Sequence, residues 1–290
     1  AVARAAPARP LPRGRAALQF QPPNLVRATQ VGRQDGRYFV ATEYVAGQTL
    51  AALLDQCRRT GQRLSLGHVA AIAQAIAYAL EHAHQHLRPC RPHPGDVLIG
   101  YDGVVRLLAS EVPSGMPVYI APEQVRGQEA SEAADQFVLS AMMFEMLTLE
   151  PSFSAENEFQ SLEKARRAEV PPPSLWNDRV PNEMDEIVRR AAAREPDKRY
   201  PSAGAMAHAL ADLQKGFMFD TADLADLLRR TFPEEARAEE AARLAADESS
   251  ADLALKDRVM RAPRALGLEP IYWVGIAVMV AGAVWLAAGY

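Results

Sequence analysis

The feature that most constrains the fold is a helix-length segment that runs into a proline-rich loop and then into two short apolar runs. Residues 64–87 read LSLGHVAAIAQAIAYALEHAHQHL, with Ser65 as a candidate N-cap and Pro89 just beyond the end. Apolar residues recur there with the 3.6-residue period of a helix that buries one face. They are Val69, Ile72, Ala73, Ile76 and Leu80. The pattern predicts one long helix that stops before Pro89.

The loop after this helix reads PCRPHPGDVLI over residues 89–99, and it leads into a predicted hairpin. The apolar runs DVLI and VVRLL flank the Asp102-Gly103 pair, which is typical of a tight turn between antiparallel strands. An aromatic and β-branched run over 37–47 predicts another strand, and QTLAALLDQC after it predicts a short helix. Further helices are predicted over 133–148, 156–168, 182–194 and 202–213. A few strands followed by helices indicate an α+β domain rather than alternating βαβ units.

Composition narrows the class of protein. Apolar residues make up 49% of the 290 and charged residues 23%, which is enough to bury a sizeable core. A formal net charge of -4 argues against a nucleic-acid binder that depends on a broad basic field. Cys57 and Cys90 lack metal-ligand spacing, which favours a reducing compartment over a disulfide framework.

The two ends of the sequence carry different signals. Residues 1–16 are mainly Ala, Arg and Pro, so we expect a flexible basic leader rather than a secretory signal. Residues 271–290, IYWVGIAVMVAGAVWLAAGY, contain no charge and no proline and have the length of a bilayer-spanning helix. Because Arg261 and Arg264 precede this run, the positive-inside rule places residues 1–270 in the cytoplasm. Whether the span is a tail anchor or precedes an external region stays open.

The stretch before the predicted span is a candidate spacer. Residues 216–256 are rich in Ala, Glu, Asp and Arg, which predicts helix. An apolar stripe at helical spacing consists of Leu224, Leu227, Leu228 and Phe232. We expect this stripe to pack on its own domain, with packing on a partner as the alternative.

Six motifs, in order, resemble the bacterial eukaryote-like Ser/Thr protein kinases. PPNLVRA at 22–28 resembles the segment after the N-lobe helix, and FVATEYVAGQTL at 39–50 resembles the last N-lobe strand, the hinge and the first C-lobe helix. The other four are AIAYALEHAHQH at 75–86, GMPVYIAPEQVRG at 115–127, DQFVLSAMMFEMLTLEPSF at 135–153 and AREPDKRYPSAGAMAHAL at 193–210. The resemblance extends over about residues 18–214. It implies a kinase-like α+β fold, mainly the helical C-lobe with a truncated N-lobe.

The resemblance also implies a division of the chain and three structural residues. The segments are the leader at 1–16, an N-lobe remnant at 17–44, a C-lobe at 45–214, a helical juxtamembrane spacer at 215–262 and a transmembrane helix at 271–290. In the family, Glu123 of the Ala-Pro-Glu motif would pair with Arg199, and Asp135 would begin a buried central helix.

Most positions that would carry catalysis are altered. Phosphoryl transfer by a kinase needs a carboxylate to orient the acceptor hydroxyl, a lysine clamp and metal-held phosphates. Aligned on Pro94, the motif His-Arg-Asp-x-Lys-Pro-x-Asn places Arg91 where the base belongs and His93 where the lysine belongs. A guanidinium is always charged and has no acceptor, so Arg91 cannot serve as a base.

The metal positions are altered to different degrees. Asp96 replaces the metal-binding asparagine and keeps oxygen ligands for Mg²⁺. Ala109, Ser110 and Glu111 stand where Asp-Phe-Gly belongs, and the Ala109 side chain offers no ligand. The sequence before residue 18 contains neither a glycine-rich loop nor a lysine. Together these changes predict a degenerate, pseudokinase-like member.

The resemblance therefore implies a membrane-anchored, bacterial kinase-like protein that acts in signalling or scaffolding through protein partners, without a cofactor. The alternative is an active Ser/Thr kinase that uses ATP and Mg²⁺ through non-standard residues such as Asp96, Asp102 or Glu111, or through an N-lobe outside this chain. A third option is nucleotide binding without transfer at the predicted hinge, Glu43, Tyr44 and Val45. In every case the span would place the protein in the inner membrane.

Two remaining features carry less specific signals. His82 and His86 are one helical turn apart, but no third ligand is suggested nearby, so we expect a structural role. Ala277 and Ala281 form a small-xxx-small pair in the predicted span, which would allow a homodimer.

Overall fold

The structure is a computed structural model of the chain. It describes residues 4–6, 23–34, 37–86, 89–108, 119–153, 157–217 and 219–246. The chain divides into two compact units, Ala1–Ala236 and Arg237–Tyr290. The described residues of the second unit, 237–246, are helical.

The first unit contains most of the described helices. Their bounds are α1 Leu50–Thr60, α2 Leu66–His86, α3 Pro122–Val125, α4 Glu132–Thr148, α5 Glu158–Arg167, α6 Asn182–Ala191, α7 Ala203–Gln214 and α8 Thr221–Thr231. The long helices predicted between residues 64 and 213 are confirmed, and their ends shift by a few residues only. Side-chain caps make such helix ends predictable from the sequence. At the start of α2, Ser65 Oγ accepts the His68 N–H (3.2 Å).

The core is centred on α2 and α4. The five apolar residues that predicted the long helix are all fully buried on α2. The side chains of α4 are buried from Ala134 to Thr148, so this helix is enclosed on every face. Helix α2 packs against both α4 and α7.

Two small antiparallel sheets flank the hinge segment. The first contains β1 Arg4–Ala6, β2 Ala28–Gln34 and β3 Arg37–Thr42 in the order β1-β3-β2. The second contains β4 Gly47–Thr49, β5 Val97–Gly100 and β6 Val105–Leu107 in the order β4-β5-β6. The predicted hairpin is confirmed, with Val97 opposite Leu107.

The single strand predicted over 37–47 is wrong in its extent. Strand β3 ends at Thr42, and β4 begins at Gly47 in the other sheet. The backbone between them is used elsewhere, because the Glu43 N–H donates to the Arg27 carbonyl (2.9 Å). The segment 43–46 therefore crosses from one sheet to the other instead of continuing β3.

The chain before β2 is hydrogen-bonded to the second sheet. The Leu107 N–H donates to the Asn24 carbonyl (2.7 Å), and the Val26 N–H donates to the Leu107 carbonyl (3.0 Å). The Asn24 side-chain amide also donates to the Val105 carbonyl (2.8 Å). This segment thus ties the first sheet to β6.

Part of the leader differs from the expectation. The sequence predicts flexibility over 1–16, whereas Arg4–Ala6 forms a strand that pairs with β3, with Arg4 opposite Val40. Arg4–Ala6 contains no large apolar residue, but an open strand edge offers backbone hydrogen bonds to any sequence without regard to side chains.

The apolar stripe of the predicted spacer lies in the first unit. Leu224, Leu227 and Leu228 on α8 and Phe232 just after it are buried in the main core cluster. Within the described ranges, the helices lack the combination of length and hydrophobicity that a bilayer crossing requires. The predicted span 271–290 and its flanking arginines lie outside those ranges.

Candidate active site

Asp135 at the start of α4 anchors the loop that the sequence singled out. Its carboxylate accepts the Cys90 N–H (2.7 Å) and the Arg91 N–H (2.9 Å), and His84 Nε2 lies 2.9 Å from Oδ2. Asp135 is fully buried. Cys90 and Arg91 are not part of a strand, and the buried charged acceptor satisfies their two N–H groups instead. The core helix therefore positions this loop directly.

Arg91 lies in the anchored part of the loop with its side chain exposed. Its φ of +46° falls in the left-handed region, which is uncommon for a residue other than glycine. The bond from its N–H to Asp135 helps to hold this conformation. No residue from Pro89 to Gly95 carries a carboxylate, and the nearest one in the loop is that of Asp96, five positions after Arg91.

His93 has a local structural role at the position aligned with the lysine. Its Nδ1 accepts the Gly95 N–H (2.9 Å) and caps the short 3₁₀ turn Pro94–Asp96, which leaves the proton of a neutral ring on Nε2. The ring also lies edge-on to Tyr119, with centroids 5.0 Å apart. The contacts fix the ring against the loop.

Of the two predicted metal positions, Asp96 lies within the described residues, immediately before β5. Asp96 is buried (5% exposed), and its carbonyl accepts the Leu108 N–H (2.7 Å). Leu108 immediately precedes Ala109, which lies outside the described residues. In the described part of the chain, no group of three His, Cys, Asp or Glu side chains could hold a metal ion. Kinases use two protein ligand positions for Mg²⁺, and here only Asp96 carries a suitable oxygen, so these residues do not fit that site.

The predicted hinge residues are fastened at both ends. The Glu43 carboxylate accepts the Arg27 N–H (3.0 Å), in addition to the bond from the Glu43 N–H back to Arg27. At the other end, the Ala46 carbonyl accepts the Tyr101 N–H (2.9 Å). Between these points the Tyr44 side chain is exposed and Val45 is half-buried. The hinge backbone is therefore held by hydrogen bonds at both of its ends, beside β4.

Glu123 and Arg199, which the resemblance pairs, form a buried bidentate ion pair. The two guanidinium nitrogens of Arg199 lie 2.7 and 2.8 Å from the two carboxylate oxygens of Glu123. Arg199 also donates to the Ala133 and Ala193 carbonyls at 2.8 Å. Both side chains are nearly inaccessible to solvent. The pair joins the start of α3 to the segment between α6 and α7.

Sequence reasoning missed a second buried polar cluster, centred on Glu145 of α4. The Glu145 carboxylate accepts the Tyr119 hydroxyl and pairs with the Arg58 guanidinium. Burial, together with the Glu145 charge, raises the pKa of the Tyr119 hydroxyl, so it stays a donor. A signal was available, because Glu145 is the one charged residue in the apolar run from Phe137 to Leu147. The cluster ties α1 and α4 to the segment that leads into α3.

Comparison with known proteins defines the class of this fold. No protein-family model matches the chain. The kinase domain of PknI from Mycobacterium tuberculosis has a similar structure, with a TM-score of 0.57 and 25% identity over 70% of this chain and 76% of that one. The fold is protein-kinase-like, with a helical C-lobe and small sheets.

The sequence relatives are bacterial protein kinases. The chain is 30% identical over 219 residues to the tyrosine-protein kinase MasK of Myxococcus xanthus (68% of this chain, 34% of MasK). It is 29% identical over 209 residues to the serine/threonine-protein kinase PrkC of Bacillus subtilis (68% and 32%) and 31% identical over 207 residues to PknJ of Mycobacterium tuberculosis (65% and 35%). The chain spans about a third of the length of these relatives. It is homologous to the bacterial serine/threonine protein kinases.

Proposed function

We propose that this chain is a pseudokinase, a kinase-like protein that acts in signalling or scaffolding by binding other proteins rather than by transferring phosphate. The observation that carries the proposal is Arg91. The buried carboxylate of Asp135 holds the loop in place, yet a permanently cationic side chain stands where the aligned motif needs a proton acceptor.

The contrast between supporting and reacting residues favours this proposal. The ion pair of Glu123 with Arg199 and the anchor at Asp135 are complete. The aligned base, lysine and Asp-Phe-Gly aspartate are Arg91, His93 and Ala109. General-base catalysis alone contributes about 10²–10⁴ in rate. A kinase-like fold that keeps its packing but lacks the reacting groups is expected to bind other proteins through its surface rather than to catalyse phosphoryl transfer.

A phosphotransfer assay separates this proposal from the active-kinase alternative. The purified full chain is incubated with labelled ATP, Mg²⁺ or Mn²⁺ and a generic protein substrate. We expect no transfer above that of Asp96→Ala, which removes the one aligned metal ligand. Asp197→Ala is the control, because it removes an exposed carboxylate that lies outside the loop and the hairpin. Transfer that is robust in the wild type and in Asp197→Ala but lost in Asp96→Ala would overturn the proposal.

Nucleotide binding at the hinge is a separate question with its own measurement. The strands described before the hinge at 43–45 carry no lysine that could clamp the phosphates of ATP. A thermal-shift titration with ATP is therefore expected to leave the melting temperature of the full chain unchanged. A saturable rise with ATP that is absent with phosphate alone would establish nucleotide binding.

We also propose that residues 271–290 anchor the protein in the inner membrane with residues 1–270 in the cytoplasm. The support is the uncharged 20-residue run and the two arginines before it. Lysine at the centre of a span costs about 2.5–3.5 kcal/mol. The double variant Met279→Lys/Val280→Lys should therefore leave the membrane fraction, whereas Met279→Leu/Val280→Leu should stay in it. Equal extraction of both by alkaline carbonate would refute the anchor.

Protein partners should be tested for with the protein anchored in the membrane. Cross-linking in membranes tests the homodimer that small residues in the span would allow. A product at twice the chain mass that Ala277→Leu abolishes would support self-association through the span. Only heterologous products would point to other protein partners.

A further inference from the structure

The segment from Phe219 to Phe232, here called the strap, follows the last helix that the family resemblance covers. Its helix α8 packs against α1 and β5. Leu224, Leu227 and Leu228 are each at most 3% exposed. These contacts seat the strap across the β5–β6 hairpin, on the side of the domain that carries the end of the hinge.

Two glycines shape the seat of the strap. A Cβ on Gly103 would lie 2.0 Å from the Thr221 carbonyl oxygen, and Gly103 also has a φ of +78°. At the start of α2, a Cβ on Gly67 would lie 3.1 Å from the Phe219 ring. The ring of His68 meets Phe219 edge-on at 5.2 Å. The hairpin turn and the start of α2 therefore fit the backbone and the first aromatic ring of the strap closely.

Tyr101 joins the strap to the hinge. Arg229 Nη2 on α8 donates to the Tyr101 carbonyl (2.8 Å), and the Tyr101 N–H donates to the Ala46 carbonyl (2.9 Å). The Gln48 side-chain amide lies 3.2 Å from the Tyr101 hydroxyl, to which it donates. One residue of the hairpin turn thus bonds to the strap on one side and to the hinge segment and β4 on the other.

We propose that the strap is a conformational device that controls the order of the hinge segment 43–46 through Tyr101. Helix α8 has eleven residues. An isolated helix of that length is marginal in water, so a lifted strap loses its helix as well as its seat. The strap therefore has two distinct states, packed against the domain and released from it. Release removes the bond from Arg229 to Tyr101, the residue of the hairpin turn that binds Ala46. The device does not depend on phosphoryl transfer.

Amide hydrogen exchange of the full chain tests this coupling. Leu228→Asp places a charge in the buried stripe and lifts the strap. Arg229→Ala cuts the bond to Tyr101 and leaves the stripe in place. Arg230→Ala is the matched control, because Arg230 is an exposed neighbour whose Nε bonds to the Asp226 carbonyl of its own helix. Exchange is read at the Tyr101 amide and in peptides over 44–49 and 97–106.

The proposal expects exchange at Tyr101 and over 44–49 to rise about tenfold in Arg229→Ala, the loss expected for one hydrogen bond to a charged donor. Leu228→Asp should raise the same rates at least as much and also expose α8, while Arg230→Ala should match the wild type. Unchanged exchange at the hinge in Arg229→Ala would overturn the proposal. If Leu228→Asp does not fold, Arg229→Ala decides alone, because it alters no buried apolar side chain.

Discussion

Breaking the ion pair between Glu123 and Arg199 is the sharpest test of what holds this fold together. Glu123→Gln keeps the shape of the side chain and one carbonyl acceptor but removes the negative charge. The Arg199 guanidinium then stays buried with the Ala133 and Ala193 carbonyls as its remaining strong acceptors. Because Gln is nearly isosteric with Glu, the change adds almost no cavity, and the loss reports the uncompensated charge.

The size of the effect follows from burial. Removing one partner of a buried ion pair costs about 3–5 kcal/mol, since the other charge is left without compensation. With an m-value of about 2 kcal/mol per molar urea, the unfolding midpoint should fall by about 1.5–2.5 M. A bidentate pair also occurs at the surface, where Nη2 and Nε of Arg189 lie 2.6 and 2.8 Å from the two carboxylate oxygens of Glu186. Exposed pairs contribute about 0–1 kcal/mol, so Glu186→Gln should shift the midpoint by less than about 0.5 M.

Urea unfolding of the full chain, followed by far-ultraviolet circular dichroism, compares the two variants under one set of conditions. Added salt should narrow the small effect of Glu186→Gln and leave that of Glu123→Gln nearly unchanged, because buried charges are screened little. Equal midpoint shifts in the two variants would refute the reasoning, since burial would then make no difference to the contribution of a bidentate ion pair.

Three further predictions concern the loop and the strap. Asp135→Asn places an amide donor opposite one of the Cys90 and Arg91 N–H groups, so it should destabilise the fold by about 1–3 kcal/mol and speed exchange at both amides; unchanged exchange would contradict the anchor. Burial, with the charge of Asp135, raises the pKa of the Cys90 thiol to about 12, so iodoacetamide at about pH 8 should label it only after unfolding, as mass spectrometry of the peptide would show. Burial lowers the pKa of His68, which lies near the Asp223 carbonyl, so the unfolded chain binds a proton at a higher pH than the folded chain does. The melting temperature should therefore stay constant above about pH 6.5 and fall below it, and it should fall less in His68→Gln.

The helices could be predicted from the sequence because their signals are local. The apolar period of α2 and its Ser65 cap lie within the helix itself, and the Asp102-Gly103 turn lies between the two strands that it joins. The extent of β3 could not be predicted in this way. What ends that strand is the carbonyl of Arg27, a partner sixteen residues away that no local pattern marks.

The residues of the candidate site could be predicted from the sequence, but the contacts that they make could not. The motif order located Arg91 and the other aligned positions, because motif spacing is a property of the sequence alone. The carboxylate that holds the loop comes from Asp135, more than forty residues further on, and only packing of α4 against the loop brings them together. The Glu145 cluster was missed for the same reason, although a lone charge in an apolar helix signals that a buried partner must exist.

Among the described residues, the first sheet is connected to the rest of the domain at two places, the bonds of Asn24 and Val26 to Leu107 and the crossing at 43–46. A body held at one point can turn about any axis through that point, whereas a body held at two points can turn only about the line that joins them. The Arg27–Glu43 bonds keep the two attachments side by side, so that line is short and lies at the base of the sheet. We therefore expect rotation about that line to be the easiest motion of the first sheet relative to the rest of the domain.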